Sequence, residues 1–140
     1  MRKILYIIFF FSTTFNTAAQ VEKRDSLLGL LQAAKDDTGK VMLLLNIADT
    51  YEASNQDSSI YYLERSKQLS VGLKFKRGIY HYYEQSAIVS FTKGDYNLSM
   101  LQSNSALAIA RELKDSGLVI NMLNNTGIVY QYLGQFDKQL

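Results

Sequence analysis

The chain repeats itself. Set residues 73 to 97 above 113 to 137, a shift of 40, and Leu73-Lys74 meets Leu113-Lys114. Ala87-Ile88-Val89 then meets Gly127-Ile128-Val129, and Gly94-Asp95-Tyr96 meets Gly134-Gln135-Phe136. An earlier copy aligns at a shift of 39, with Ala48 over Ala87 and Leu44 over Tyr83. Leu63, Ser66 and Leu69 lie one period before Ser103, Ala106 and Ile109. A unit of this size cannot bury its own apolar face and must stack on its neighbours.

Within each copy the apolar spacing is helical: Leu44, Ile47, Ala48 and Tyr51 follow the i, i+3, i+4, i+7 rule. Leu123, Gly127 and Tyr130 follow it with one gap and continue to Leu133, and Leu98, Leu101, Ser105 and Ala108 follow it more loosely. Turn residues cluster at Asp36-Asp37-Thr38-Gly39, Ser54-Asn55-Gln56-Asp57, Lys93-Gly94-Asp95 and Asp115-Ser116-Gly117. Asp57 and Asp95 suit helix N-caps. Proline is absent, so no obligatory breaker interrupts long helices. The pattern predicts an all-α chain of about seven helices, over roughly 25–36, 40–54, 58–73, 77–93, 96–114 and 117–133, with a last one beginning near 136.

These residues resemble the tetratricopeptide repeat family. Its helix pair carries a small residue in the first helix, an aromatic three residues on, a Gly-x-aromatic turn, and small residues in the second helix. The third copy has Gly127, Tyr130, Gly134 and Phe136; the second has Ala87, Gly94, Tyr96, Ser99, Ala106 and Leu107. The first keeps Ala48 and Tyr51, but Asn55 and Asp57 replace the turn glycine and aromatic. The family's period is about 34 residues. The longer period here implies longer helices, and the family's proline at the end of the second helix is missing. The resemblance implies an α-solenoid of antiparallel helix pairs: a capping helix over 20–39, then repeats over about 40–74, 77–114 and 117–140, the last truncated. A narrower resemblance, over Arg24-Asp25-Ser26-Leu27-Leu28 and on through Ala34 to Ala48, is to the exported repeat regions of sensor histidine kinases of Bacteroidetes-type bacteria.

Residues 1–19 read differently. Arg2 and Lys3 precede the apolar run from Ile4 to Phe11, and Thr17 and Ala19 sit before a cut ahead of Gln20. That is the layout of a secretory signal, and its apolar part is short of the roughly 20 residues that span a bilayer. Export to the periplasm or outside the cell is the expectation. The full chain has 15 basic and 13 acidic residues; losing Arg2 and Lys3 leaves 13 of each. The mature chain is therefore neutral, and electrostatic capture of nucleic acid loses its support.

Catalytic arrangements are missing from the sequence. There is no cysteine, so no disulfide, thiolate metal site or thiol nucleophile. Gly72, Gly78, Gly94, Gly117 and Gly134 are isolated and form no phosphate loop. His81 is the only histidine and has neither a metal-ligand set around it nor the surroundings of a phosphoacceptor. The expectation is a non-enzyme without cofactor or metal. Tyr80 and Tyr83 are expected to pack between helices, with an exposed aromatic binding patch as the competing reading; Tyr61 and Tyr62 divide between rim and interior.

The family's groove, carried over position by position, implies Met42, Leu45, Asp49 and Glu52 in the first copy. The second supplies His81, Glu84, Ile88 and Phe91, and the third Asn121, Asn124, Ile128 and Gln131. A concave groove of this kind takes a protein or peptide ligand. The lining has no lysine or arginine to clamp a carboxylate, and an unused, solvated helix face remains the competing reading. The function expected is a protein-binding module, the sensory input region, or a fragment, of a two-component signalling protein; the alternative is a free-standing secreted or periplasmic scaffold, and an enzyme is the distant third. The third copy stops within its second helix, which suggests the front end of a longer protein or a truncated frame. A membrane would then be met only through a segment beyond residue 140.

Overall fold

The computed structural model describes residues 19–136, and among them are six α-helices and no strand. Helix α1 covers 19–33, followed by α2 (Thr38–Tyr51), α3 (Gln56–Gly72), α4 (Lys76–Thr92), α5 (Tyr96–Glu112) and α6 (Ser116–Phe136). From α3 onward a helix starts every 20 residues, at Gln56, Lys76, Tyr96 and Ser116. From α2 on, each helix packs on its neighbour in sequence, and α2 also touches α4. The start of α3 meets the end of α4, where Gln56 Nε2 donates to Thr92 Oγ1 at 3.1 Å. The start of α4 meets the end of α5, where Lys76 Nζ lies 2.7 Å from Glu112 Oε2. These neighbours therefore run antiparallel.

The interval comes from the turns. Lys74, Gly94 and Lys114 adopt left-handed backbone, with φ of 53°, 80° and 55°. The next amide then reaches back five residues: Phe75 N–H to the Ser70 carbonyl at 2.8 Å, Asp95 to Ser90 at 2.9 Å, Asp115 to Ala110 at 3.3 Å. Each bond satisfies a carbonyl left free at the end of a helix. The chain restarts at once, because Asp95 Oδ1 accepts from Leu98 N–H at 3.0 Å and Asp115 Oδ1 from Leu118 N–H at 3.2 Å. The turn after α2 closes differently. Asn55 N–H bonds to Tyr51, four residues back, one residue tighter than the others. That missing residue is why the first copy aligns at 39 in α2 and the rest at 40.

Three expectations are corrected. The cap of α3 is Asn55, whose Oδ1 accepts from Ser58 N–H at 3.0 Å, while the predicted cap Asp57 lies inside the first turn. The first helix begins at 19 and ends at 33, earlier at both ends than predicted. No turn forms at Gly134: α6 stays helical through Phe136, so the helix expected near 136 does not begin there. Where Asp95 and Asp115 follow the left-handed residue, Gln135 follows Gly134, and glutamine is not among the residues that favour an N-cap. The export signal, but for Ala19, and residues 137–140 lie outside the described residues.

Helix α4 is buried on two sides. Tyr82 and Val89 pack with Val41, Leu45 and Ala48 of α2 and Leu63 of α3. Tyr80, fully buried, packs with Ala106, Leu107 and Ala110 of α5 and Met122 of α6. The interfaces are rich in small hydroxyl residues, among them Ser66, Ser70, Ser86, Ser90, Ser99 and Ser103. Three of these donate their hydroxyl hydrogen to a nearby acceptor: Ser66 to Leu63 O at 2.7 Å, Ser90 to Gln102 Oε1 at 2.7 Å and Ser99 to Ala87 O at 2.8 Å. Ser103 Oγ and Ser70 Oγ are buried without a partner. At Gly78 the helices come closest: an added Cβ would lie 2.3 Å from Ser70 Oγ and 2.8 Å from Val41 Cγ1.

Two substitutions of similar size should therefore move stability in opposite directions. Gly78→Ala forces α4 away from α2 and α3; overpacking costs about 1–3 kcal/mol, against a helix-propensity gain of about 1 kcal/mol. Ser103→Ala removes an unpaired buried hydroxyl and should stabilise by up to about 1 kcal/mol. Urea denaturation checks both, and a Gly78→Ala chain as stable as the parent would show that the contact yields freely.

Candidate functional site

The groove residues implied by the repeat pattern come from α2, α4 and α6, and the structure divides them into three groups. Those of α2 do not form an open lining. Leu45 is 1% exposed and belongs to the core with Val41, Ala48 and Tyr82, so its side chain cannot meet a ligand. Leu45 packs towards Tyr82 of α4, while Met42 is half-buried at the edge of the same cluster. Asp49 is exposed but paired with Lys23 of α1 at 3.6 Å. The Arg24 guanidinium sits 4.9 Å from the centre of the Tyr51 ring. Glu52 is half-buried, and burial, followed by the Asp49 charge, pushes its carboxyl up. Helix α1 thus lies against this end of the face.

Helices α4 and α6 bring the second group together. His81 Nδ1 lies 2.8 Å from Glu84 Oε2, and Tyr80 Oη donates to Glu84 Oε1 at 3.0 Å. Asn121 of α6 donates through Nδ2 to Glu84 Oε1 and also approaches Tyr80 Oη, at 3.4 Å. One carboxylate therefore gathers a phenol, an imidazole and an amide from two helices. Tyr80 was expected between helices and is there, but its hydroxyl tip belongs to this network. Burial, reinforced by the Glu84 carboxylate, pushes that hydroxyl up to about 12.

One turn further along α4 is the third group. Ile88 and Phe91 of α4 and Ile128 of α6 line a cleft of about 130 Å³, whose walls include Asn125 and Ser103. Ser103 is 1% exposed and its hydroxyl is unpaired. The cleft is edged by an aromatic group absent from the sequence-based lining: Tyr132 stands 4.9 Å from Phe91 and 5.5 Å from Tyr96, ring centre to ring centre. Its signal was present, since Tyr132 lies four residues after Ile128 on the same helical face. Asn124 and Gln131 are exposed beside the cleft.

The face can thus offer a fixed polar point and, next to it, an apolar slot of side-chain size. Among the described residues no group of three or more histidine and carboxylate side chains is placed to hold a metal ion, and no helix is long and apolar enough to cross a membrane.

The raised Tyr80 hydroxyl has a consequence at high pH. Its neutral form is favoured by folding, so the stability it confers is complete below about pH 10 and is lost as pH rises towards 12. An alkaline titration followed by phenolate absorbance should show a late-ionising component that Tyr80→Phe removes in part, Tyr82 being raised as well by burial and by Glu64. An unchanged late component in Tyr80→Phe would assign it elsewhere.

No protein-family model, no curated protein and no solved structure matches this chain.

Proposed function

We propose that the chain is a non-catalytic protein-binding module of tetratricopeptide-like helix pairs, and that its ligand is a peptide laid along the face of α4 and α6. The observation that carries this reading is the pairing of the Tyr80–His81–Glu84–Asn121 network with the cleft of Ile88, Phe91 and Ile128. Recognition sites combine a few fixed polar groups with an apolar pocket in this way. The carboxylate of Glu84 is already shared among three side chains, which holds it in one geometry before any ligand arrives. Such preorganisation reduces the ordering cost of binding. The apolar slot then accepts one aliphatic or aromatic side chain.

Selection from a random peptide library on the immobilised chain tests this. Selected peptides should lose about tenfold or more in affinity on Phe91→Ala, a loss of the size expected for a residue anchoring a ligand. Asn124→Ala, at an exposed position, should weaken them less, and Glu84→Lys should abolish binding of peptides that reach the polar point. Equal affinity in all three variants would remove the groove as the site.

The N-terminal segment supports placing this module outside the cytoplasmic membrane, as the sensory input region, or a fragment, of a two-component signalling protein. A free-standing secreted or periplasmic scaffold is the second reading, and reading the gene onward from Leu140 separates them: a spanning segment and a kinase core favour the sensor. Export itself has a direct test. The mature protein isolated from its cell should begin at Gln20, and a chain that retains Met1 would contradict export by cleavage.

A further inference from the structure

The cleft between α4, α5 and α6 occupies a place in the repeat that is filled in the copy before it. Its deep end is made by Ala87 of α4, Ser103 of α5 and Val129 of α6, each no more than 4% exposed. One period earlier stand Ala48, at a shift of 39, and Leu63 and Val89, at a shift of 40. Those three pack together in the core between α2, α3 and α4. Two of the three positions carry the same residue in both copies, and the third has serine in place of leucine. One turn earlier on α5 there is no such exchange: Ser99 stands one period after Ser59, and both are buried. A leucine side chain missing from a packed interior leaves space that its neighbours refill only in part. The cleft is thus a core position filled by Leu63 in one copy and left open over Ser103 in the next, with its mouth at the exposed side chain of Ile128.

What lies at the bottom of that space is chemically specific. Ser99 donates its hydroxyl hydrogen to the Ala87 carbonyl at 2.8 Å, but Ser103 Oγ is buried without a hydrogen-bond partner. A polar group brought in by a ligand would supply the missing bond. Asn125, half-buried, adds a second neutral polar group to the wall, and none of the residues lining the cleft is charged. A charged side chain would lose its hydration there and meet no counter-charge. The cleft holds about 130 Å³, well below the roughly 300 Å³ at which sites for drug-sized ligands begin, so its occupant is a single side chain. Its mouth offers the ring of Phe91, which favours an aromatic partner set edge to face. We propose that the cleft binds a tyrosine side chain of the peptide, its ring against Phe91 and its phenol hydroxyl bonded to Ser103. This rests on the reading of α4 and α6 as a peptide face, and it makes Ser103 the residue that sets specificity there.

The cleft can be tested without a peptide, using p-cresol for the tyrosine side chain and toluene for that of phenylalanine. In an NMR titration of the full chain, p-cresol should shift the amides around Ser103 and Ile128. It should bind about tenfold more tightly than toluene, the difference expected from one buried hydrogen bond. Ser103→Ala should bring the two probes to equal affinity, whereas a serine with a structural role alone would alter stability and leave that ratio unchanged. Ser103→Leu restores the side chain of the preceding copy and should exclude both probes. Equal binding of p-cresol and toluene to the parent chain overturns the proposal, as does p-cresol binding that Ser103→Leu leaves intact. Selected peptides that Phe91→Ala weakens, but that tolerate phenylalanine in place of each tyrosine, would keep the peptide face and overturn this occupant. Binding of p-cresol that Ser103→Leu abolishes, with no peptide selected, would support the tyrosine cleft and count against the peptide face.

Discussion

Everything in this fold is timed by a backbone conformation that recurs at Lys74, Gly94 and Lys114. Each left-handed residue reverses the chain and lets the following amide cap the helix just ended. Two of the three are lysines, which pay about 1–2 kcal/mol for a conformation that glycine adopts freely. The hydrogen bonds to Ser70 and Ala110 offset that cost, since a buried carbonyl left unpaired is comparably expensive. Because these turns recur at one interval, α3, α4 and α5 all have 17 residues, and their buried positions fall into register without adjustment.

Register alone would not bring the helices close. Close approach comes from what the contact positions carry: Ala87, Ala106 and Ala110, the serines, and Gly78, where three neighbouring groups occupy the space a Cβ would need. Serine in these places costs little while its hydroxyl reaches a carbonyl or an amide, as at Ser66, Ser90 and Ser99. Ser103 lacks such a partner and lies on the wall of the cleft between α4 and α6. A less well satisfied part of the interior thus coincides with the surface most suited to receive another side chain.

The helical class, the order of the helices and the 40-residue interval were legible because they rest on apolar spacing and on turn residues, both local. Asp95 could be read as a cap because the residue before it is a glycine. Asn55 could not be separated from Asp57, because both are good caps and the choice depends on a turn one residue tighter. Lys74 and Lys114 gave no warning, since nothing in a lysine signals left-handed backbone. Of the positions carried over from the repeat, His81, Glu84 and Asn121 meet in one network and Ile88, Phe91 and Ile128 line one cleft. Leu45 is core instead, because it packs against Tyr82 of α4. Lys23 and Arg24, which reach Asp49 and Tyr51, belong to no repeat and had no counterpart to be read from.

The same pattern in α4 and α6 ends in two different environments, and this separates what sequence specifies from what packing supplies. Tyr82, Ser86 and Val89 in α4 and Met122, Thr126 and Val129 in α6 are all buried, so this side of the repeat is satisfied in both copies. The other side is satisfied only in α4, where Tyr80 is enclosed by α5 and its hydroxyl is drawn to Glu84. In α6 the equivalent positions keep their apolar character without enclosure among the described residues, and the helix carries no charged side chain. Tyr80 and Ile120 thus hold the same place in the repeat, and what separates them among the described residues is the helix that packs over the first.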